Sequence, residues 1–260
     1  MLSKVPRITA YFWTIKILTT ALGESTSDYM VHNFNPYLAV IGGFLAFVVA
    51  MAIQLTARSY VPWIYWLAVV MVAVFGTMAA DVLHIQFGVP YFVSTIMFAI
   101  ALSVVFVAWY RSEKTLSIHS IHTPRRELFY WSAVLATFAM GTAAGDLAAY
   151  TANLGFLAAG LFFAVVFAVP GLGYRFLKLN AIFAFWFAYI MTRPLGASFA
   201  DWTGKAQNLR GLGIGDGPVS AVLAIAIVAL VGYLTLTGAD LEEPVLKGHP
   251  ALELLGEEAS

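Results

Sequence analysis

The sequence predicts an all-α polytopic membrane protein: eight transmembrane helices as four parallel two-helix repeats, in a pseudo-four-fold bundle with the odd helices inside. Three observations carry this. Of 260 residues, 61% are hydrophobic and only 11% are charged, with mean hydropathy +0.83. That is too little charge to cover the surface of a soluble domain. Apolar runs of about 20 residues, the length a helix needs to cross a bilayer, recur along the whole chain. Finally, one spacing occurs four times without a gap. Trp13, Trp66, Trp131 and Trp186 are each followed ten residues later by Gly23, Gly76, Gly141 or Gly196, and five beyond that by Asp28, Asp81, Asp146 or Asp201. Self-similarity at fixed positions marks tandem structural units.

Taken in order, the spans are expected near 8–30, 37–57, 61–84, 89–110, 127–150, 154–174, 179–203 and 217–237. They pair into repeats of about 8–57, 61–110, 127–174 and 179–237. The first span resembles a leader peptide, but Lys16 interrupts its apolar run and no A-x-A cleavage pattern follows, so it is read as a span. The turns after odd spans are polar and rich in Gly, Asn and Pro, as in His32-Asn33-Phe34-Asn35-Pro36, and the fourth widens into a Gly-rich loop from Gly204 to Gly217. A two-helix unit returns the chain to its starting side, so the odd spans run parallel, unlike the inverted repeats of many transporters. The side holding both termini carries ten Lys and Arg residues, against Lys205 and Arg210 on the other. This bias predicts cytoplasmic termini. Residues 1–238 then form a single transmembrane domain, and 239–260 a short acidic cytoplasmic tail.

At 100° per residue, the Trp and positions four, seven, eleven and fifteen of each repeat fall on one broad helix face. Position eleven holds Glu24, Thr77, Thr142 and Ala197, and position fifteen the aspartates. The glycine at position ten begins a small-xxx-small stripe (Gly23/Ser27, Gly76/Ala80, Gly141/Gly145, Gly196/Ala200), which lets helix backbones approach closely in lipid. Four odd helices meeting along this stripe would bring Asp28, Asp81, Asp146 and Asp201 to similar depth near the outer surface. Each Trp reads either as an interface-belt anchor or as a packing residue.

Converging carboxylates repel and require protons, a cation or basic side chains as compensation. Candidate groups are Lys16 and Arg193 within spans, Glu24 as a fifth acid, and the hydroxyls of Thr20, Thr77 and Thr142. His32 follows Asp28 by four residues and His84 follows Asp81 by three, so on a continuing helix each shares a face with its aspartate. Asp28, His32, Asp81, His84, Asp146 and Asp201 therefore form a candidate site for a divalent metal ion, with a donor set that suits Mn, Fe or Zn. No covalent cofactor is indicated. Pro194 is expected to kink the seventh span and free backbone carbonyls.

Several stretches, among them Lys16-Ile17-Leu18-Thr19-Thr20-Ala21-Leu22-Gly23-Glu24, Gly141-Thr142-Ala143-Ala144-Gly145-Asp146 and Arg193-Pro194-Leu195-Gly196-Ala197, resemble a bacterial integral-membrane family. Its members have four tandem two-helix repeats, each with a marked Trp, and are described as membrane-anchored proteins of unknown function. The resemblance implies a bacterial inner-membrane location and carries over no catalytic role.

The absence of cysteine excludes disulfides and thiolate chemistry. A zero formal net charge without a basic patch speaks against nucleic acid. The lipid bilayer and a small ion or solute are the expected partners, and a homo-oligomer is compatible with the reading. The function expected is not enzymatic. It is secondary, proton-coupled export or exchange of a cation, such as manganese, through the acid cluster. The alternatives are a structural or sensory protein whose buried charges only hold the bundle, and a transporter of a small organic solute. Haem ligation by His32 and His84 is the weakest reading, because no further ligating His accompanies them.

Overall fold

The computed structural model describes residues 3–241, so the acidic tail lies almost wholly outside the described residues. Eight long helices form: α1 (Ala10–Asn33), α2 (Pro36–Thr56), α3 (Pro62–Ile85), α4 (Tyr91–Glu113), α5 (Pro124–Asp146), α6 (Phe156–Leu177), α7 (Ala181–Gly204) and α8 (Asp216–Thr237). No strand occurs among the described residues. The helix starts follow from local chemistry. Thr9, Asn35, Thr123 and Asn180 accept hydrogen bonds from the free backbone N–H groups of the first turns. Pro36, Pro62 and Pro124 stand just inside α2, α3 and α5, where their missing N–H costs nothing.

Six of the eight helices, all but α1 and α7, are long and apolar enough to cross a membrane, which makes this a multi-pass membrane protein. Helices α1 and α7, also expected as spans, are less apolar because of the charged and hydroxyl side chains they carry. Helix α1 carries Lys16, Glu24 and Asp28, while α7 carries Arg193 and Asp201. Other helices cover both: α1 packs on α3, α7 and α8, and α7 on α1, α5 and α6. Charges on such helices face protein, not hydrocarbon.

The odd helices close a ring in which α1 meets α3, α3 meets α5, α5 meets α7 and α7 meets α1. One contact recurs four times around it. A β-carbon added to Gly23 would lie 2.5 Å from Ala73 Cβ; on Gly76, 3.0 Å from Phe138 Cβ; on Gly141, 2.5 Å from Arg193 Cγ; on Gly196, 2.0 Å from Thr20 Oγ1. Position ten of each repeat thus receives position seven of the next, and the fourth repeat closes on the first. Four such contacts at matched positions require the odd helices to run parallel. The even helices lie outside, but not where the repeat order suggests. Helix α2 packs chiefly on α3, α4 on α5, α6 on α7, and α8 returns to α1. Each even helix therefore braces the following repeat, and α8 completes the circle.

Both ends of the described residues and the even-to-odd links gather at one end of the bundle. Lys4 N donates to Ile121 O, Tyr60 N to Ser3 O, and Arg7 N to Asp240 O. Beside them lies an aromatic core in which Trp66, Trp131 and Trp186 are buried. These three tryptophans are packing residues, so the interface-anchor reading does not hold for them. Trp13 is half-buried against Phe167 and Phe185. Pro194 does not break α7, which continues through it to Gly204.

Candidate functional site

The centre of the ring is Arg193. Its side chain is buried and its stem lies on Gly141, where any larger residue would collide. From position seven of the fourth repeat, the guanidinium reaches one turn further, to position eleven of the other three. Nη2 donates to Glu24 Oε2 at 2.6 Å, to Thr142 Oγ1 at 2.8 Å and to Thr77 Oγ1, and Nη1 donates to Thr20 O at 3.4 Å. Thr20 Oγ1 in turn donates to Thr192 O at 3.0 Å. Position eleven of the fourth repeat is Ala197, which brings no polar group of its own. A buried ion pair is tolerated when hydrogen bonds satisfy its remaining atoms, and the threonines do this for Nη1 and Nη2, while Nε is buried without a partner.

One turn above this lock, the repeat aspartates converge. Asp28, Asp81, Asp146 and Asp201, from four different helices, line one cavity of about 370 Å³ together with Glu24 and Asp216. Exposed His32 and Leu209 stand at its edge, at the end opposite the termini. One oxygen each from Glu24, Asp28 and Asp201 lie within 4.8 Å of one another, a spacing that could hold a cation. Lys205 also enters here. Its ammonium donates to Asp28 Oδ2 and stands 3.9 Å from Asp201 Oδ1. Burial pulls the Lys205 pKa down, but the neighbouring carboxylates Asp28, Asp201 and Asp216 outweigh it and hold the amine above the ordinary lysine range. Asp81 and Asp146 make no hydrogen bond or ion pair among the described residues. The cavity thus has an occupied half, under Lys205, and an open half.

The sequence-predicted residues divide accordingly. The four aspartates and Glu24 share the cavity. Thr20, Thr77, Thr142 and Arg193 do not line it; they are bonded to one another and reach it only through Glu24, which accepts from Arg193. Lys16 lies deeper, with Nζ 4.0 Å from the centre of the Phe138 ring and 4.3 Å from that of Tyr189. His32 reaches the rim with Nδ1 bonded to Asp28 O at 2.7 Å. His84 is not among the lining residues: its ring packs on Tyr91 at 4.4 Å, and both ring nitrogens are buried without a partner. The closely spaced donor set is consequently all oxygen, without the histidines expected as ligands, because His84 turns to α4 and the His32 ring folds back on its own helix.

Sequence reasoning missed Lys205, Asp216, Tyr91 and Tyr150 as lining residues. Lys205 had a signal, since it follows Asp201 by four residues at the end of α7, the spacing of a helical ion pair. Tyr150 had none. It is placed by a π-helical turn, Leu147–Thr151, that continues α5 past Asp146. Such turns re-aim side chains and often mark functional positions.

A family model matches the chain four times, at residues 11–60, 64–115, 129–178 and 184–240. The chain belongs to the family described as Repeat of Unknown Function (DUF347). Each DUF347 match starts within an odd helix and ends after the following even one, so the family's unit is the sequence repeat and not the packing unit seen in the fold. No curated protein and no solved structure matches the chain.

Proposed function

We propose that this DUF347 protein is a secondary transporter of a cation, with a divalent metal such as manganese as the leading candidate and protons as the coupling ion. The observation that carries this is the convergence of the four repeat aspartates and Glu24, from separate helices, on one cavity. A fold that needed these acids only for helix ends would have no reason to gather them, because their mutual repulsion costs stability unless a counter-charge is present. Lys205 supplies one such charge to Asp28 and Asp201. A bound cation would supply another and would compete with Lys205 for the same oxygens. Hard cations favour oxygen donors, in keeping with the carboxylate set. With cytoplasmic termini, as the Lys and Arg bias predicts, the cavity would open on the outer face of a bacterial inner membrane.

The alternative, that the charges only hold the bundle together, is favoured for a different set of residues. Arg193 is bonded to Glu24, Thr77 and Thr142, and the four form a lock. Asp81 and Asp146 have no such role to fill.

The test is ion flux in proteoliposomes loaded with a metal-quenched dye. Wild type should admit Mn²⁺ above the rate of protein-free vesicles, and Asp146→Asn and Asp28→Asn should abolish that entry. Unchanged flux in both variants, or none in wild type, removes the transport reading.

A further inference from the structure

The cavity reaches Glu24, the partner of Arg193, but polar side chains continue beyond that pair through a core that is otherwise aromatic and aliphatic. Lys16, at position three of the first repeat, is buried, and its ammonium makes no hydrogen bond. Tyr189, at position three of the fourth, is equally buried, and its hydroxyl also lacks a hydrogen bond. Beyond it, the hydroxyls of Tyr130 and Tyr65, each one residue before its repeat's Trp, bond one another. The Tyr65 ring meets that of Tyr60 at 5.6 Å, and the Tyr60 hydroxyl donates to Asp240 Oδ2 at the end that holds the termini. Between one residue before the Trp and position fifteen, a helix rises about 24 Å, most of a bilayer's hydrocarbon thickness.

These groups are costly where they stand. An amine or hydroxyl buried in a membrane core without a partner is unfavourable, because it gives up its bonds to water and gains none in return. Stability alone does not account for Lys16 and Tyr189, since Met and Phe would fill the same volumes. The charged groups around them do not account for them either. Arg193 is taken up by Glu24 on the cavity side, and the faces towards Lys16 are the rings of Phe138 and Tyr189. At the far end Asp240 is held by Tyr60; burial raises its pKa, while the Tyr60 hydroxyl acts in the opposite direction.

We propose that Lys16, Tyr189, Tyr130, Tyr65 and Tyr60 form a proton path that links the acid cavity to Asp240 at the opposite end. The species is set by the surroundings. The rings of Trp66, Trp131 and Trp186 are buried in an apolar cluster that offers a metal ion no ligands, whereas a proton needs only a succession of groups that accept on one side and release on the other. Lys16 in its amine form takes a proton from the cavity side. At the far end the Asp240 carboxylate takes the Tyr60 proton, each phenolate so formed takes one from the hydroxyl before it, and Tyr189 is restored by the proton that Lys16 carries. Each hydroxyl ends neutral, and the net transfer is one proton.

This path rests on the transporter reading only for its role in coupling, and the experiment separates the two. Proteoliposomes would carry pyranine to report lumen pH and a quenched dye to report Mn²⁺, under an imposed membrane potential, with and without Mn²⁺ outside. Calorimetry on detergent-purified protein would measure Mn²⁺ binding. Tyr130→Phe and Tyr65→Phe keep the rings and remove only hydroxyls. Both, along with Lys16→Met, should slow proton movement by about tenfold or more, the scale of a lost proton-relay group, with Mn²⁺ affinity unchanged. Tyr110→Phe, on the exposed side of α4, should move protons as wild type does. If wild type moves no protons under any gradient, or if Tyr130→Phe and Tyr65→Phe conduct as wild type, the path is refuted. Should protons move in a Tyr130-dependent way without Mn²⁺ binding, the path stands and the metal reading falls.

Discussion

The two halves of the ring use one motif for opposite ends. Helices α1 and α7, from the first and last repeats, carry Lys16, Glu24 and Arg193, and the loop after α7 adds Lys205, which ties Asp28 to Asp201. Helices α3 and α5, from the middle repeats, hold Val69, Val134, Ala73 and Phe138 at the equivalent inner positions, with Thr77 and Thr142 above them. Of the four odd helices, only α3 and α5 pass as apolar spans. In the charged half Arg193 pairs with Glu24 and Lys205 with Asp28 and Asp201, with Lys16 left over, whereas the neutral half presents Asp81 and Asp146 with no partner among the described residues. Four copies of one frame have thus separated into a locked seam, where the ring closes, and an open wall facing the cavity.

The lock should dominate stability. Arg193→Met leaves Glu24 buried without its cation and is expected to cost about 3–5 kcal/mol in unfolding measured in detergent micelles. The double variant Arg193→Met with Glu24→Met should recover part of that loss, since no orphan charge remains. Equal losses in single and double variants would show that the pair is not the lock.

Helix approach should come next. Gly196→Ala places a methyl 2.0 Å from Thr20 Oγ1 and 2.9 Å from the backbone of α1, at the seam itself. About 1–3 kcal/mol of destabilisation should follow. By contrast, Gly42 in the outer helix α2 has nothing within 4 Å, so Gly42→Ala should gain about 0.5–1 kcal/mol of helix propensity. Thermal unfolding of the two alanine variants side by side decides whether the inner stripe is the packing surface.

Charge removal at the rim should act on binding more than on folding. Lys205→Met frees Asp28 and Asp201, and Mn²⁺ affinity by calorimetry should rise by about tenfold, as expected when a cation a few ångströms away is removed. The smallest effect concerns pH. The Lys205 pKa is raised in the folded protein, so its contribution to stability is complete below the unfolded value of about 10.4 and is lost only as pH passes the higher folded value. Between pH 7 and pH 10, wild type and Lys205→Met should therefore show the same pH slope of melting temperature.

Much of this arrangement was legible in the sequence, because the repeat fixes it. Once Trp, Gly and Asp recur in one frame on parallel helices, equal depth for the aspartates follows, and the structure gathers them. Hydropathy was the poorer guide. It counts Lys16 or Arg193 against a span without knowing that three other helices shield it. The pairing of even with following odd helices was illegible, since apolar outer faces such as those of α2 and α4 fit any neighbour and the choice is made by the circle closing through α8. The histidines misled because helical spacing gives a face but not a rotamer, and the His84 ring packs on Tyr91, a residue that no local pattern links to it.

The account rests on Asp81 and Asp146 being kept for a ligand while Arg193 and Glu24 hold the bundle. The most direct test is the Mn²⁺-induced shift in melting temperature of purified wild type and of the double variant Asp81→Asn with Asp146→Asn. The account predicts a rise in wild type that the double variant loses, with a double variant that melts no lower than wild type in the absence of metal. A double variant that still responds to Mn²⁺ in full, or one that melts well below wild type without it, would contradict the account.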